Sequence, residues 1–210
     1  MRVKICGITR TEDLDAAVEA GADAVGFIVG FPGSKRNLSL EVAGEMIRRV
    51  PPFVDSVLVT TSDIVEDRTD KIVSIGPNAI QLHGQGDPRV LRRALGLRLI
   101  RAYLVSDGGE DAREAARGFD ALLTDTYVKG QSGGTGKTSD WAVCRAVREG
   151  IAPVPLILSG GLRPENVLDA IEVVRPYAVD VSSGVESTPG VKDRAKVFEF
   201  VRRAKERTKE

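Results

Sequence analysis

Three features of the sequence predict a (β/α)8 barrel, the TIM-barrel class of α/β fold. Short apolar runs of strand length alternate with amphipathic helical stretches along the chain. The runs have the character of parallel strands buried on both faces by flanking helices. Eight such units can be counted in 210 residues, whereas a doubly wound sheet usually uses fewer strands and carries a crossover break. That length suits one domain with a substantial core, so a single barrel domain over residues 1–210 is expected.

The first strand ends near Cys6, where Gly7 permits a turn that other residues would strain. Its alternation turns Val3 and Ile5 toward the helices and Lys4 and Cys6 toward the barrel interior. Thr11-Glu12-Asp13 is read as the cap of a helix carrying Leu14, Ala17, Val18 and Ala20, stopped by Gly21, and Asp23 to Val29 is the second strand. Helices over Leu40 to Val50 and Ile64 to Ile75 flank a strand over Val54 to Thr61, with Pro51 and Pro52 marking the first joint. Strands over Ala79 to His83, Leu99 to Leu104 and Ala121 to Asp125 alternate with helices over Val90 to Leu95 and Glu110 to Arg117. After a polar, glycine-rich pause come a helix at Trp141 to Arg148, a strand at Pro155 to Ser159 and a helix at Glu165 to Val174. The strand Ala178 to Ser182 and a closing helix Arg194 to Lys205 complete the set. The long connections, Gly30 to Asn37 and Thr126 to Lys137, both follow strands and so fall on the face of Cys6, where barrels collect functional loops.

Thirty basic and thirty acidic residues balance, so no net field favours nucleic acid or an anionic membrane, and an anionic ligand must be caught locally. Two cysteines far apart, Cys6 and Cys144, without metal-ligand neighbours, make neither a disulfide framework nor a metal site. No apolar run reaches membrane-spanning length and no signal-peptide pattern opens the chain, which points to a cytoplasmic protein with no membrane partner.

Ser159-Gly160-Gly161 and Ser182-Ser183-Gly184 close the seventh and eighth strands, where backbone N–H groups, hydroxyls and a helix start can hold a phosphate; the plainer reading is that these glycines serve turns. Gly133-Gly134-Thr135-Gly136-Lys137-Thr138 is not a P-loop, because Gln131 stands where that motif needs glycine; it reads as a loop able to fold over a phosphosugar, or as a linker. Cys6 is either a small buried hydrophobe or a reactive thiol. Asp125, inward with Leu123 across the mouth from Cys6, can share acid and base work with it, or can cap a helix or join a salt bridge. Arg36, in Ser34-Lys35-Arg36, could clamp a carboxylate, though alone it reads as a solvated loop charge. His83 could contact ligand or merely pack, and inward Asp180 could bind a sugar hydroxyl or neutralise Lys4, which strand closure should bring beside it.

Together these stretches resemble a known family. Val3-Lys4-Ile5-Cys6-Gly7-Ile8-Thr9, Gly21 to Phe27, Ser34-Lys35-Arg36, Gln81-Leu82-His83-Gly84, Gly133 to Lys137, Leu158 to Leu162 and Val179 to Glu186 are similar, in order, to the motifs of the phosphoribosylanthranilate isomerases. The opening Lys-Ile-Cys-Gly and the closing Asp-Val-Ser-Ser-Gly-Val-Glu carry most of the specificity. The resemblance implies an intramolecular oxidoreductase of tryptophan biosynthesis. It would convert a small-molecule phosphoribosyl substrate by an Amadori rearrangement without a cofactor or metal. It further implies Cys6 as general base and Asp125 as general acid. Arg36 would bind the anthranilate carboxylate, with His83, Gly134, Gly136 and Asp180 also lining the substrate, and Gly160, Gly161, Ser182, Ser183 and Gly184 would bind the phosphate. A base must be thiolate, so a depressed Cys6 pKa beside Lys4 is expected. Two other readings stand beside this one. A related sugar-phosphate isomerase of histidine biosynthesis would have an aspartate at the base position, and a non-catalytic phosphosugar-binding protein would not need Cys6 and Asp125. Oligomeric state is not legible.

Overall fold

The computed structural model describes residues 1–105, 111–126 and 140–206. Its parallel barrel strands are β1 (Arg2–Cys6), β2 (Ala24–Val29), β4 (Asp55–Thr61), β5 (Ala79–His83), β6 (Arg98–Val105), β7 (Ala121–Thr126), β8 (Leu156–Leu158) and β9 (Ala178–Val181). Each hydrogen-bonds the next in that order, and β9 returns to β1, so the sheet closes as an eight-stranded barrel. The seam pairs Val3 with Val179 and Lys4 with Asp180. A short strand β3 (Asn37–Leu38) extends beside β2. β10 (Glu186–Thr188) and β11 (Val191–Lys192) form a separate antiparallel hairpin. The helices are α1 (Thr11–Glu19), α2 (Leu40–Ile47), α3 (Ser62–Ile75), α4 (Pro88–Leu95), α5 (Ala112–Ala116), α6 (Trp141–Ile151), α7 (Val167–Val174) and α8 (Arg194–Lys205).

Alternation along the strands divides the apolar residues into two cores. Outward side chains such as Val3, Ile5, Phe27, Leu58, Ile80, Leu122 and Val179 pack under the helices in one large cluster. Inward ones fill the barrel in smaller clusters, one of Cys6, Val57, Val59 and Ala79, the other of Ala121, Leu123, Ile157 and Ala178, with Ile100 touching both. The expected facing of the first strand is therefore observed: Val3 and Ile5 meet the helices and Cys6 the interior.

Most helix starts follow local chemistry. Ser39, Asp87, Asp111, Asp140 and Asp193 each accept a backbone N–H of the first turn of their helix. The first helix departs from expectation, because its cap position is Arg10, which makes no side-chain cap. The Asp13 carboxylate accepts Arg10 Nε locally at 3.1 Å and, from the far end of the chain, the Lys192 N–H at 3.1 Å. α2 ends at Ile47 rather than Val50, consistent with the steric restriction that Pro51 places on the residue before it. α7 begins at Val167, because Asn166 accepts the Arg163 N–H and donates to the Gly161 carbonyl, holding the preceding loop in a turn.

Candidate active site

Every described residue singled out in the sequence lies near the carboxyl end of a barrel strand or in the connection leaving it. Cys6 ends β1, Arg36 lies between β2 and β3, His83 ends β5, Asp125 is near the end of β7, Gly160 and Gly161 follow β8, Asp180 is in β9, and Ser182, Ser183 and Gly184 follow it. Gly134 and Gly136 fall outside the described residues.

The deepest feature is an ion pair within the barrel. Lys4 Nζ donates to Asp180 Oδ1 at 2.8 Å, and both side chains are about 95 % buried, exposing 4 % and 5 %. Burial alone would discharge the lysine, but the Asp180 carboxylate and the Cys6 sulfur hold its pKa above the ordinary value. The Cys6 thiol is buried, and its pKa is pushed up rather than depressed. Loss of solvation is the largest cause and Asp180 adds to it, while Lys4 and Lys192 pull the other way. The depressed thiol expected from Lys4 alone is corrected here: the sequence displays the neighbouring cation but not the depth of burial. Gly26, opposite Cys6 in the β1–β2 register, makes room for both side chains. A Cβ there would lie 2.8 Å from the Cys6 sulfur and 3.2 Å from Lys4 Cε.

On β5, His83 is half-buried, with Nε2 3.1 Å from Gln81 Nε2 and its ring edge-on to Phe31 at 5.4 Å between centroids. Burial, then the Lys4 charge, push its pKa down to about 4, so the imidazole is neutral at pH 7. Asp125 is half-buried on β7, separated from β1 by β8 and β9 around the ring. It is two residues beyond Leu123, an interior residue, and so shares its inward face.

Arg36 reaches back over the end of β1. Its Nε and Nη2 form a fork with Glu186 Oε1 and Oε2 at 2.8 and 2.7 Å. Gly7, at φ 74°, leaves the space for this side chain: a Cβ there would lie 2.6 Å from Arg36 Cδ and 2.9 Å from Ser182 Oγ. The Lys192 ammonium, fully buried, donates to Glu186 Oε1 at 2.8 Å and contacts Ser182 O and Oγ at 3.2 and 3.4 Å.

The two serine-glycine strand ends abut. Gly160 and Gly161 both take left-handed φ values, 94° and 66°. Gly184 approaches the β8 loop so closely that a Cβ would sit 1.9 Å from the Leu162 carbonyl oxygen. Backbone therefore packs on backbone, so the connections leaving β8 and β9 form one continuous ledge at the strand ends.

Sequence reasoning gave Glu186, Lys192 and Gln81 no role. The signal that could have found the turn carrying Glu186 and Lys192 together is the Pro189-Gly190 pair, a turn dipeptide. Chemically, the mouth combines a buried thiol beside an ammonium, a neutral imidazole, a carboxyl across the ring, a guanidinium and an anion-sized ledge. Among the described residues, no three His, Cys, Asp or Glu side chains converge as a metal site. Among the same residues, no helix is long and apolar enough to cross a membrane. A shallow groove between α1 and α8, lined in part by Ala20, Phe198 and Val201, contains none of the residues named above.

Residues 3–203 match the family model described as N-(5'phosphoribosyl)anthranilate (PRA) isomerase. A relative from Methanothrix thermoacetophila, N-(5'-phosphoribosyl)anthranilate isomerase, is 47 % identical over 207 residues, covering 97 % of this chain and 98 % of its own. The crystal structure of phosphoribosyl anthranilate isomerase from Thermotoga maritima superposes with a TM-score of 0.83 at 43 % identity, covering 98 % of each chain. A phosphoribosyl anthranilate isomerase in complex with reduced 1-(o-carboxyphenylamino)-1-deoxyribulose 5-phosphate superposes with a TM-score of 0.79 at 40 % identity, again over 98 % of each.

Proposed function

The chain belongs to the N-(5'-phosphoribosyl)anthranilate isomerase family, and from that premise we propose that Cys6 and Asp125 carry the rearrangement of phosphoribosylanthranilate to 1-(2-carboxyphenylamino)-1-deoxyribulose 5-phosphate. The enzyme is an isomerase of tryptophan biosynthesis. The observation that carries the residue assignment is the buried thiol of Cys6 against the Lys4–Asp180 pair at the strand ends, with Asp125 inward on the opposite side of the ring.

In this reading Asp125 gives its proton to the ring oxygen of the ribose. The bond from that oxygen to C1′ breaks while the anilino nitrogen lone pair forms a C1′=N Schiff base. The Cys6 thiolate then removes the C2′ proton, and the electron pair moves through C2′=C1′ to neutralise the nitrogen. The enolamine tautomerises, with a proton returning to C1′ and one leaving the C2′ hydroxyl, so that the ketone forms and no atom or electron is gained or lost. That balance is why no cofactor is proposed. The positive nitrogen created by ring opening is bonded to C1′, next to the carbon that loses its proton, and a cation there favours thiolate over thiol at Cys6. Lys4 supplies a second, permanent cation for the thiolate.

The substrate's ends are assigned by charge. The ledge of Gly160, Gly161, Ser182, Ser183 and Gly184 takes the phosphate through N–H and O–H donors, without a strongly basic surface. Arg36 takes the anthranilate carboxylate, Asp180 a ribose hydroxyl, and neutral His83 flanks the sugar. Gly134 and Gly136 are proposed to contact the substrate as well.

The test is an anthranilate-fluorescence assay of the purified protein with phosphoribosylanthranilate, without added metal or cofactor. Turnover by the wild type and its loss in Cys6→Ala and Asp125→Asn, with substrate still bound, are expected. Full turnover by either variant would overturn the assignment.

A further inference from the structure

The β10–β11 hairpin is bound to the site more tightly than a connection requires. Its turn is held by Thr9 Oγ1, which donates to the Gly190 carbonyl at 2.5 Å. Gly190 also approaches the β2 loop so closely that a Cβ would lie 2.8 Å from the Lys35 carbonyl oxygen. The Lys192 backbone N–H bonds Asp13 at 3.1 Å, and Lys196 Nζ donates to the Glu186 carbonyl at 3.0 Å. The hairpin thus joins the connections leaving β1, β2 and β9.

Its two buried charges converge on Arg36. Glu186 occupies the Nε and one Nη2 proton of the guanidinium, leaving three of its five N–H groups, including the whole outer edge, unused by that carboxylate. An Arg36–Glu186 pair alone would be neutral and a poor receptor for another anion. Lys192 alters that sum, because it shares Glu186 Oε1 and its three contacts match the three protons of an ammonium. The two buried cations and one carboxylate leave the buried cluster one charge positive, with Lys196 exposed outside it. Burial pushes the Lys192 pKa down, and the Glu186 carboxylate it hydrogen-bonds opposes that loss of charge.

We propose that Glu186 and Lys192 are positioning residues. Glu186 fixes the Arg36 guanidinium with its outer edge toward the substrate's aromatic carboxylate, and Lys192 keeps the cluster net positive, so that the hairpin sets preference for a carboxylate-bearing substrate. The proposal rests on the reading of Arg36 as the carboxylate clamp. Lys192 also lowers the Cys6 pKa, which gives it a second observable consequence.

The experiment compares phosphoribosylanthranilate with the phosphoribosyl derivative of aniline, which lacks the carboxylate. The proteins are wild type, Lys192→Met, Glu186→Gln, Arg36→Gln and each hairpin variant combined with Arg36→Gln. Lys192→Met leaves the Arg36–Glu186 pair intact and serves if Glu186→Gln fails to fold. Compared on the plateau of the pH–rate profile, where the pull of Lys192 on the Cys6 thiol no longer limits either substrate, both hairpin variants should raise KM for the anthranilate substrate at least about tenfold, the scale of one charge-assisted contact, and change kcat and the aniline substrate little. The effect should vanish on the Arg36→Gln background, and Lys192→Met should move the rising limb of the pH–rate profile to higher pH. Equal losses on both substrates, or effects additive with Arg36→Gln, would reduce the hairpin to a structural brace and overturn the proposal. If Arg36→Gln itself leaves discrimination between the substrates unchanged, the clamp reading fails first, and the proposal falls with it.

Discussion

Lys4 and Asp180 are register partners across the seam that closes the barrel, and their side chains meet at 2.8 Å inside it. The contact fixes the phase of β1 and β9 together, because a one-residue slip in either strand would turn its charge toward the helices. It also places an ammonium beside the Cys6 sulfur.

Breaking this pair should cost more than replacing it. Asp180→Ala leaves the lysine charge buried without its counter-ion and is expected to destabilise the protein by about 3–5 kcal/mol. Lys4→Met combined with Asp180→Leu should recover most of that loss of stability while turnover falls sharply, since Cys6 would have lost Lys4, the larger in effect of the two cations that favour its thiolate. Urea unfolding and the fluorescence assay on the same samples decide the point; equal instability in both variants would show that the pair's worth is packing rather than charge.

The relationship was readable because it follows from two rules, period-two facing and closure of the first strand on the last. The same rules placed Cys6, Asp125 and the serine-glycine ends on one face. Lys192 was not readable, because its role depends on contacts with Glu186, six residues away across a turn, with Ser182 and, through Glu186, with Arg36, 150 residues distant. Asp13 misled for a related reason: its local pattern is that of a cap, but a backbone N–H from the far end of the chain takes its oxygen. The thiol's raised pKa escaped as well, since depth inside the barrel is a property of the closed ring and not of Lys4-Ile5-Cys6.

His83 should make the protein acid-sensitive. Its folded pKa of about 4 lies below the ordinary histidine value of 6.5, so the unfolded chain binds the proton more strongly. Stability from this group is full above pH 6.5 and is lost as pH falls through 4, by at most about 3.4 kcal/mol at 1.36 kcal/mol per unit. His83→Gln should flatten that part of the stability curve. An unchanged difference in urea midpoint between pH 7 and pH 4.5 would place the acid sensitivity elsewhere.

Gly184 offers a steric test of the phosphate ledge. A methyl group 1.9 Å from the Leu162 carbonyl cannot be accommodated without separating the loops after β8 and β9. Gly184→Ala should therefore raise KM about tenfold or more, and weaken competitive inhibition by inorganic phosphate in parallel, because the phosphate is bound but not transformed. A KM change with phosphate inhibition intact would put the phosphate elsewhere on the rim.

The pH dependence of catalysis bears most directly on Cys6 and Asp125. A thiol raised above its ordinary range is almost wholly protonated at neutral pH, so if its thiolate is the base, kcat/KM of the free enzyme should climb about tenfold per pH unit for as long as Asp125 keeps the proton it must donate, and should level and then fall where Asp125 ionises. Cys6→Ala should lower kcat by roughly 10²–10⁴-fold with binding retained, the usual cost of losing a general base. Cys6→Ser should be nearly as poor, because a hydroxyl ionises far less readily than a thiol. Asp125→Asn keeps the shape but cannot give up a proton, so it should bind substrate and leave the ribose ring closed. A substrate carrying deuterium at C2′ separates the two roles: a normal primary isotope effect marks proton removal as rate-limiting, and its disappearance in Asp125→Asn would mean that ring opening has become the slow step. Near-normal turnover by Cys6→Ala with the isotope effect intact would move the base role to another inward group, with the neutral imidazole of His83 first in line.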